Sequence, residues 1–295
     1  MSVRNAVRYG LRAMTSNATS RSTLLAMTRA GLLPPQVWKR LPVTRTFPVR
    51  LPDGQSFLYS AVSEDSIGRA LHWRGLGGFE PETVRVFYEL ARHARTVLDI
   101  GANSGIFTLL ACGASSDSTV VAFEPVPHIY LRLVANIKGN DWTKQCRTMQ
   151  VAVSNGIGTA KFHVPFGEMP TSASLNTAGF RGWRGALIDV PVTTVDAACA
   201  GAGKVDLVKI DVEGFEDRVL EGMQRVLAES QPDLIVECNP DGPYPSVDRI
   251  LSSFGYRFYH LLPEGPVHRD RIIPDTTETY RNFLCSVRPH PSGYK

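Results

Sequence analysis

An apolar strand that breaks into a glycine turn, followed by a second apolar strand that ends in an acid, constrains this chain most. The two segments are Val97-Leu98-Asp99-Ile100-Gly101-Ala102-Asn103-Ser104-Gly105 and Val120-Val121-Ala122-Phe123-Glu124-Pro125. Glycines let the backbone approach a ligand closely. An acid about 20 residues beyond such a turn can hold both hydroxyls of a ribose. The pair predicts a site for a nucleoside-containing cofactor on an open parallel sheet.

Strand-like and helix-like segments alternate through the rest of the chain. This alternation predicts an α/β fold with a doubly wound sheet, whose ligands bind beyond the carboxyl ends of the strands. The predicted core strands are Thr96–Ile100, Thr119–Glu124, Thr148–Val153, Val205–Asp211 and Asp233–Glu237, with Tyr256–Leu261 and Phe283–Val287 closing the sheet. Two more predicted strands, within 157–164 and 188–195, do not follow this alternation of strands and helices, and they indicate a small hairpin layer.

The N-terminal segment is strongly basic. Nine lysines and arginines precede the first acid, Asp53, although the whole chain has a net charge of only +4. The excess positive charge therefore lies in this N-terminal segment, which we call the arm. It does not argue for nucleic-acid binding by the rest of the chain. We predict a basic extension over residues 1–45, with helix and strand character near its end, and one catalytic domain over residues 46–295.

Three interpretations of the arm stay open. Arg4, Arg8 and Arg12 would share one face of a helix. The arm can be a loose extension or a helix packed on the body, an amphipathic helix that makes peripheral contact with a membrane, or a cleaved targeting peptide.

Composition restricts the class of protein. No apolar run approaches the roughly 18 to 20 residues that span a bilayer. The five cysteines are dispersed, without the spacing of a zinc site or a disulfide framework. Both features are typical of a cytoplasmic protein with reduced thiols.

Acids recur where the predicted parallel strands end. They are Asp99, Glu124, Asp211 and Glu237. Each alone could be a helix cap or a satisfied surface acid, but residues at this edge line one crevice. The glycine turn lacks the third glycine of the dinucleotide fingerprint and the lysine of a phosphate loop. A ligand with an amino-acid end therefore fits better than NAD or ATP.

Several motifs together resemble one family. The Asp99–Gly105 run and Phe123-Glu124-Pro125 resemble the first two motifs of class I S-adenosylmethionine-dependent methyltransferases. Lys209-Ile210-Asp211-Val212-Glu213-Gly214-Phe215-Glu216 resembles a hallmark of their FkbM branch. The resemblance runs from about Glu80 to Val287 and implies a Rossmann-like, seven-stranded, mostly parallel sheet.

The resemblance also implies a cofactor, S-adenosylmethionine, and the residues that bind it. Glu124 would grip the ribose hydroxyls, and Asp99 would orient the amino group directly or through water. The turn would hold the methionine portion, and adenine would lie near the next strand. These further residues are Gly101, Asn103, Ser104, Gly105, Ala152 and Val153.

Methyl transfer to a hydroxyl needs a group that takes the proton. Asp211 and Glu213 are the candidates, since residues two apart in an extended segment share a face. The alternatives are that they cap the following helix or bind magnesium; we predict no dedicated metal site.

The expected acceptor is a hydroxyl of a small molecule, sugar, polyketide or glycolipid, with Met169–Trp183 as a mobile substrate loop. A nicotinamide-dependent oxidoreductase and a non-catalytic cofactor-binding or membrane-associated module are the competing functions.

Overall fold

The structure is a computed structural model that describes residues 15, 17–165, 185–201 and 203–290. The chain divides after Pro81 into two compact units. Contacts thus group residues 46–81 with the N-terminal unit, whereas the boundary expected from sequence lies at 45/46 and stays a prediction. Arg4, Arg8, Arg12 and the loop Met169–Trp183 lie outside the described residues. No helix in the described part of the chain is long and apolar enough to cross a membrane.

The first unit combines helices with a two-stranded hairpin. Its elements are α1 (Ala18–Arg29), α2 (Pro35–Trp38), β1 (Thr46–Arg50), β2 (Ser56–Ser60), α3 (Ser66–Arg74) and a 3-10 turn (Gly75–Gly78). The two strands pair antiparallel, with Thr46 opposite Ser60. Phe47 and Val49 alternate with exposed neighbours, because successive strand residues face opposite sides. Asp65 begins α3 by accepting a hydrogen bond from the Gly68 amide.

The second unit is built on a large sheet. Its strands are β3 (Thr96–Ile100), β4 (Thr119–Phe123), β5 (Cys146–Met149), β9 (Leu207–Ile210), β10 (Asp233–Glu237), β11 (Arg257–Leu262), β12 (Gly265–Arg269) and β13 (Asn282–Ser286). The order is β12-β11-β13-β10-β9-β3-β4-β5, in which β10 through β5 run parallel. The α/β prediction is confirmed, with eight described strands instead of seven because β12 pairs antiparallel with β11.

Helices cover the sheet. They are α4 (Pro81–Ala91), α5 (Ile106–Ala114), α6 (Pro127–Lys138), α7 (Val195–Ala198), α8 (Glu216–Glu221), α9 (Gln224–Glu229) and α10 (Tyr244–Ser253). Every residue of β9 and β10 is buried, which explains why these strands read as nearly continuous apolar runs. The short helices α8 and α9 are separated at Gly222, where a Cβ would lie 2.1 Å from the Ser154 carbonyl oxygen.

The predicted third strand, Thr148–Val153, is wrong as a single element. Residues Cys146–Met149 form β5 of the large sheet, whereas Ala152–Val153 form β6 of a separate sheet. There β6 pairs with β8 (Gly185–Thr193), which pairs antiparallel with β7 (Gly158–Pro165). The expected hairpin layer is therefore present, and the chain enters it directly from the end of β5.

Candidate active site

The four acids expected at the strand ends lie along one edge of the large sheet. Asp99 is the next-to-last residue of β3 and Glu237 is the last residue of β10, while Glu124 and Asp211 directly follow β4 and β9. These four strands are neighbours in the order β10-β9-β3-β4 and run parallel. Their carboxyl ends therefore form one rim, as the sequence predicted.

The glycine turn is anchored to the strand beside it. The amides of Gly101 and Ala102 both donate to the Phe123 carbonyl oxygen, at 3.1 and 2.9 Å. Gly101, Asn103 and Gly105 have left-handed backbones, with φ of 83°, 48° and 94°. Glycine and asparagine are the residues that adopt this conformation most readily. The turn sequence thus matches the conformation required to lead from β3 into α5.

The protein's own packing requires glycine at one position of the turn and leaves little room at a second. A Cβ on Gly101 would lie 1.8 Å from the Asp211 carbonyl oxygen, and one on Gly105 would lie 2.6 Å from Cδ1 of Leu133. Real contacts of a Cβ are longer than either distance. Close approach of the turn to the end of β9 therefore explains Gly101 independently of any ligand.

Glu124 is held by two backbone amides. Its Oε2 accepts a hydrogen bond from the Asn103 amide at 3.0 Å, and its Oε1 accepts one from the Val126 amide at 2.8 Å. The side chain is buried, and this burial raises its pKa to about 7, against the opposing effect of the two amides. The carboxylate ties the glycine turn to the start of α6.

Asp99 lies deeper, beneath the turn. It is 1% exposed, and the Thr108 hydroxyl of α5 donates to its Oδ2 at 2.6 Å. Burial raises the pKa of Asp99 to about 6, while the hydrogen bond from Thr108 and the charge of Lys209 act in the opposite direction. Sequence reasoning missed Thr108, although a polar residue in the apolar run of α5 was a usable signal.

The remaining residues expected near the cofactor are also buried. The Asn136 side chain of α6 donates to the Ser104 carbonyl oxygen at 2.9 Å. Ala152 and Val153 pair with Val192 and Thr193 of β8. The Glu124 amide donates a hydrogen bond to the Met149 carbonyl oxygen at the end of β5. The short segment that connects β5 to Ala152 therefore begins beside Glu124.

Three acids gather on the other side of β3. Carboxylate oxygens of Asp211, Glu213 and Glu237 all lie within 4.8 Å of one another, and we call these residues the acid cluster. The sequence grouped Asp211 with Glu213 by assuming an extended segment. The structure brings them together through a turn instead, because Glu213 has a left-handed φ of 54°.

Two cations of the chain compensate the acid cluster. The Lys209 ammonium lies 3.5 Å from Oδ2 of Asp211, and an Arg281 guanidinium nitrogen lies 3.3 Å from Oε1 of Glu237. Lys209 is fully buried and also donates to the Asn282 side chain. It therefore lies in the interior of the sheet and forms an ion pair there. Arg281 carried no sequence signal; antiparallel pairing of Glu237 with Asn282 brings it to the rim.

The members of the acid cluster differ in proton affinity. Burial alone would raise the pKa of Asp211, but Lys209 and a hydrogen bond from Glu237 lower it below the ordinary value. Burial and the charge of Asp211 raise the pKa of Glu237 well above its ordinary value. Burial and the same neighbour raise the pKa of Glu213 to about 8. At neutral pH the cluster therefore combines an ionised acid with protonated ones.

The helix-capping alternative finds little support in the local geometry. The N-cap residue of α8 is Phe215, and the carboxylate that accepts from the Gly214 amide belongs to Glu216. Neither Asp211 nor Glu213 is the N-cap residue. The magnesium alternative stays a hypothesis; Lys209 and Arg281 already supply positive charge at the acid cluster.

A sequence model described as the methyltransferase FkbM domain matches residues 99–258, more than half of the chain. Two curated relatives are similar over most of their own length. Methyltransferase sdnD of Sordaria araneosa is 26% identical over 189 residues, covering 54% of this chain and 73% of that protein. Hexuronic acid methyltransferase AglP of Haloferax volcanii is 26% identical over 200 residues, covering 68% and 77%.

Solved structures give a more distant likeness. A methyltransferase FkbM from Methylobacillus flagellatus KT is 15% identical, with a TM-score of 0.42 and coverage of 65% of this chain and 43% of that chain. The O-methyltransferase TomG from Streptomyces achromogenes, solved in complex with S-adenosylmethionine, is 14% identical, with a TM-score of 0.39 and coverage of 70% and 80%.

Proposed function

The chain belongs to the FkbM methyltransferase family, and we propose that it transfers a methyl group from S-adenosylmethionine to a hydroxyl oxygen of a small-molecule or glycan acceptor. The observation that carries this proposal is the composition of the rim. A carboxylate fixed by backbone amides lies on one side of β3, and the acid cluster lies on the other. Family membership favours this activity over the oxidoreductase and the non-catalytic module.

Glu124 fits the ribose of the cofactor. An ionised carboxylate has about four acceptor positions, two on each oxygen. Each oxygen of Glu124 accepts one backbone amide, so each keeps capacity for one hydroxyl group. Hydroxyls that donate to the ionised form would lower its raised pKa. This match supports Glu124 as the residue that binds the ribose.

The other cofactor residues are assigned by their place around the turn. We propose that Gly101, Asn103, Ser104 and Gly105 line the methionine portion, and that Ala152 and Val153 lie beside adenine. Asp99 contributes a negative charge beneath the turn, which suits the positive charges of the donor's amino group and sulfonium. Because Asp99 is almost fully buried, it acts through water or through its charge.

The acid cluster would act on the acceptor. When bound, S-adenosylmethionine supplies an electrophilic methyl group on a positively charged sulfur. A general base works best when its pKa lies near the working pH, and Glu213 meets that condition better than Asp211. We assign Glu213 as the group that takes the hydroxyl proton. Asp211, kept ionised by Lys209, orients that hydroxyl as a hydrogen-bond acceptor.

Labelled methyl transfer tests the proposal. The full-length protein is incubated with methyl-labelled S-adenosylmethionine and a panel of hydroxyl acceptors, and products are analysed by mass spectrometry. Since AglP is named for hexuronic acids, the panel pairs uronic acid glycosides with the corresponding neutral hexosides. The expected product carries a methyl ether. Transfer exclusively to nitrogen or carbon acceptors, or no binding of S-adenosylmethionine, would contradict the proposal.

A further inference from the structure

The N-terminal unit contains a cavity of about 660 Å³, lined by residues to which the proposed methyl transfer assigns no role. Its lining comes from α1 and the segment before it, from the segment that leads into β1, and from α3. The residues are Thr15, Arg21, Pro42, Val43, Thr44, Arg45, Thr46, His72 and Trp73. Cavities of roughly 300 to 1,000 Å³ are typical of small-molecule sites. Its size is therefore that of a ligand larger than a simple ion.

The described residues of the lining carry charge of one sign. Arg21 and Arg45 contribute guanidinium groups, and none of the lining residues that the structure describes is acidic. The Arg21 side chain donates to the Thr15 carbonyl oxygen at 3.2 Å, which fixes its position at the wall. Guanidinium groups bind phosphate and carboxylate oxygens through two parallel hydrogen bonds, and threonine hydroxyls add neutral donors. This lining suits an anion.

His72 adds a polar group inside the wall. The residue is 7% exposed and packs edge-on against the rings of Phe47 and Trp73. Its Nε2 atom has no hydrogen-bond partner among the residues that the structure describes. A buried polar atom without a partner is costly. Burial, together with Arg45 and Arg21, lowers the pKa of His72 to about 4. The ring is thus kept neutral by burial and by the positive field of the arginines, and a bound anion would offset that field.

The wall is not uniformly polar. Pro42, Val43 and Trp73 supply apolar and aromatic surface beside the arginines. A bare phosphate would leave most of the cavity unfilled, whereas a phosphorylated sugar would place a charged group at the arginines and a ring against the apolar wall. We propose that this cavity binds the phosphate group of a phosphorylated small molecule or lipid headgroup.

Calorimetry with a matched pair of ligands tests this site. Glucose 1-phosphate is titrated into the full-length protein, with glucose as the uncharged control. We expect glucose 1-phosphate to bind and glucose to give no measurable heat. The Arg45→Gln variant should bind about 10-fold more weakly, because it loses a charge-assisted hydrogen bond. Arg45→Lys, which keeps the charge, should lose less.

An exposed arginine of the same unit provides the control for net charge. Arg40 is exposed and does not line the cavity. The Arg40→Gln variant should bind glucose 1-phosphate within about 2-fold of the original protein, since distant exposed charges are screened. Thermal unfolding of both variants checks that the unit stays folded.

Vesicles distinguish the two sources of phosphate. If phosphatidic acid vesicles, but not phosphatidylcholine vesicles, bind the protein and Arg45→Gln weakens this binding more than Arg40→Gln, the site is supported with a lipid headgroup as its ligand. Equal losses in the two variants indicate unspecific attraction and overturn the proposal. Unchanged binding of glucose 1-phosphate by Arg45→Gln, or no binding of either phosphate source, also overturns it.

Discussion

Glu124 and the acid cluster lie on the same rim but are held in different ways. Both oxygens of Glu124 are fixed by main-chain amides, so its position follows directly from the backbone of the turn. The cluster is held by side chains, through Lys209, Arg281 and the contact between Asp211 and Glu237. A backbone-held carboxylate suits binding, because its geometry does not change. A cluster of coupled side chains can exchange protons, which suits catalysis.

The same contrast appears in the pKa values. For Glu124 the opposing influences are burial and fixed amides. For Glu213 they are burial and neighbouring charges, of which Asp211 is the strongest. The comparison predicts that changes on the Glu124 side alter binding of the donor, whereas changes in the cluster alter the rate.

The largest expected effect is on the rate. Glu213→Gln should lower kcat by about 1,000-fold, because it removes the group that takes the hydroxyl proton. Binding of S-adenosylhomocysteine should stay within about 2-fold, since a group that acts on the proton alone contributes little to donor binding. Labelled methyl transfer and calorimetry measure the two quantities.

The control for this variant is Glu229→Gln, which removes an exposed acid of α9 and should leave both quantities unchanged. In the original protein, kcat/KM should rise as the pH increases through about 8, where Glu213 loses its proton. Normal turnover by Glu213→Gln would refute its assignment as the base.

The second-largest expected effect is the loss of stability when alanine replaces a glycine of the turn. Gly101→Ala should lower the free energy of unfolding by about 3 kcal/mol or more, from a left-handed backbone and a collision with the Asp211 carbonyl oxygen. Denaturant unfolding measures this effect. Gly156→Ala is the matched control, because nothing lies within 4 Å of its Cβ position. Comparable losses in both variants would show that the turn and β9 are not tightly packed.

Glu124→Gln should weaken binding of S-adenosylmethionine by about 100-fold, because an amide group replaces one charged acceptor by a donor. The same variant should lose the pH dependence of binding. In the original protein, affinity should increase as the pH rises through about 7, where Glu124 ionises. Calorimetry across this pH range tests both statements; unchanged affinity in the variant would place the ribose elsewhere.

The smallest expected effect is on how the free energy of unfolding depends on pH. The pKa of Glu213 is raised from 4.5 to about 8, so between these values the folded protein binds more protons than the unfolded chain. Its contribution to the free energy of unfolding therefore decreases as the pH rises through that window. The free energy of unfolding of Glu213→Gln should exceed that of the original protein by about 1 kcal/mol or more near pH 9, and should differ little from it near pH 4. A variant that is less stable at high pH would contradict the repulsion with Asp211.

Much of the rim could be predicted from local sequence. The strand, the glycine turn and the acid that follows the next strand are separated by short, regular distances. Chain geometry therefore restricts where they can lie: parallel strands end at the same edge, and the positive φ of Gly101 and Gly105 restricts which residues can form the turn. For the same reason the positions of Asp99, Glu124 and Asp211 were correctly expected.

The partners of these acids depend on residues far apart in the chain. Arg281 reaches Glu237 because β13 inserts antiparallel beside β10, and Lys209 becomes buried because β9 lies in the middle of the sheet. The split of the expected third strand into β5 and β6 likewise depends on pairing with β8. Local spacing thus determined the turn and the rim. Tertiary structure decided which acids share protons, because burial and neighbouring charge arise only when distant segments pack together.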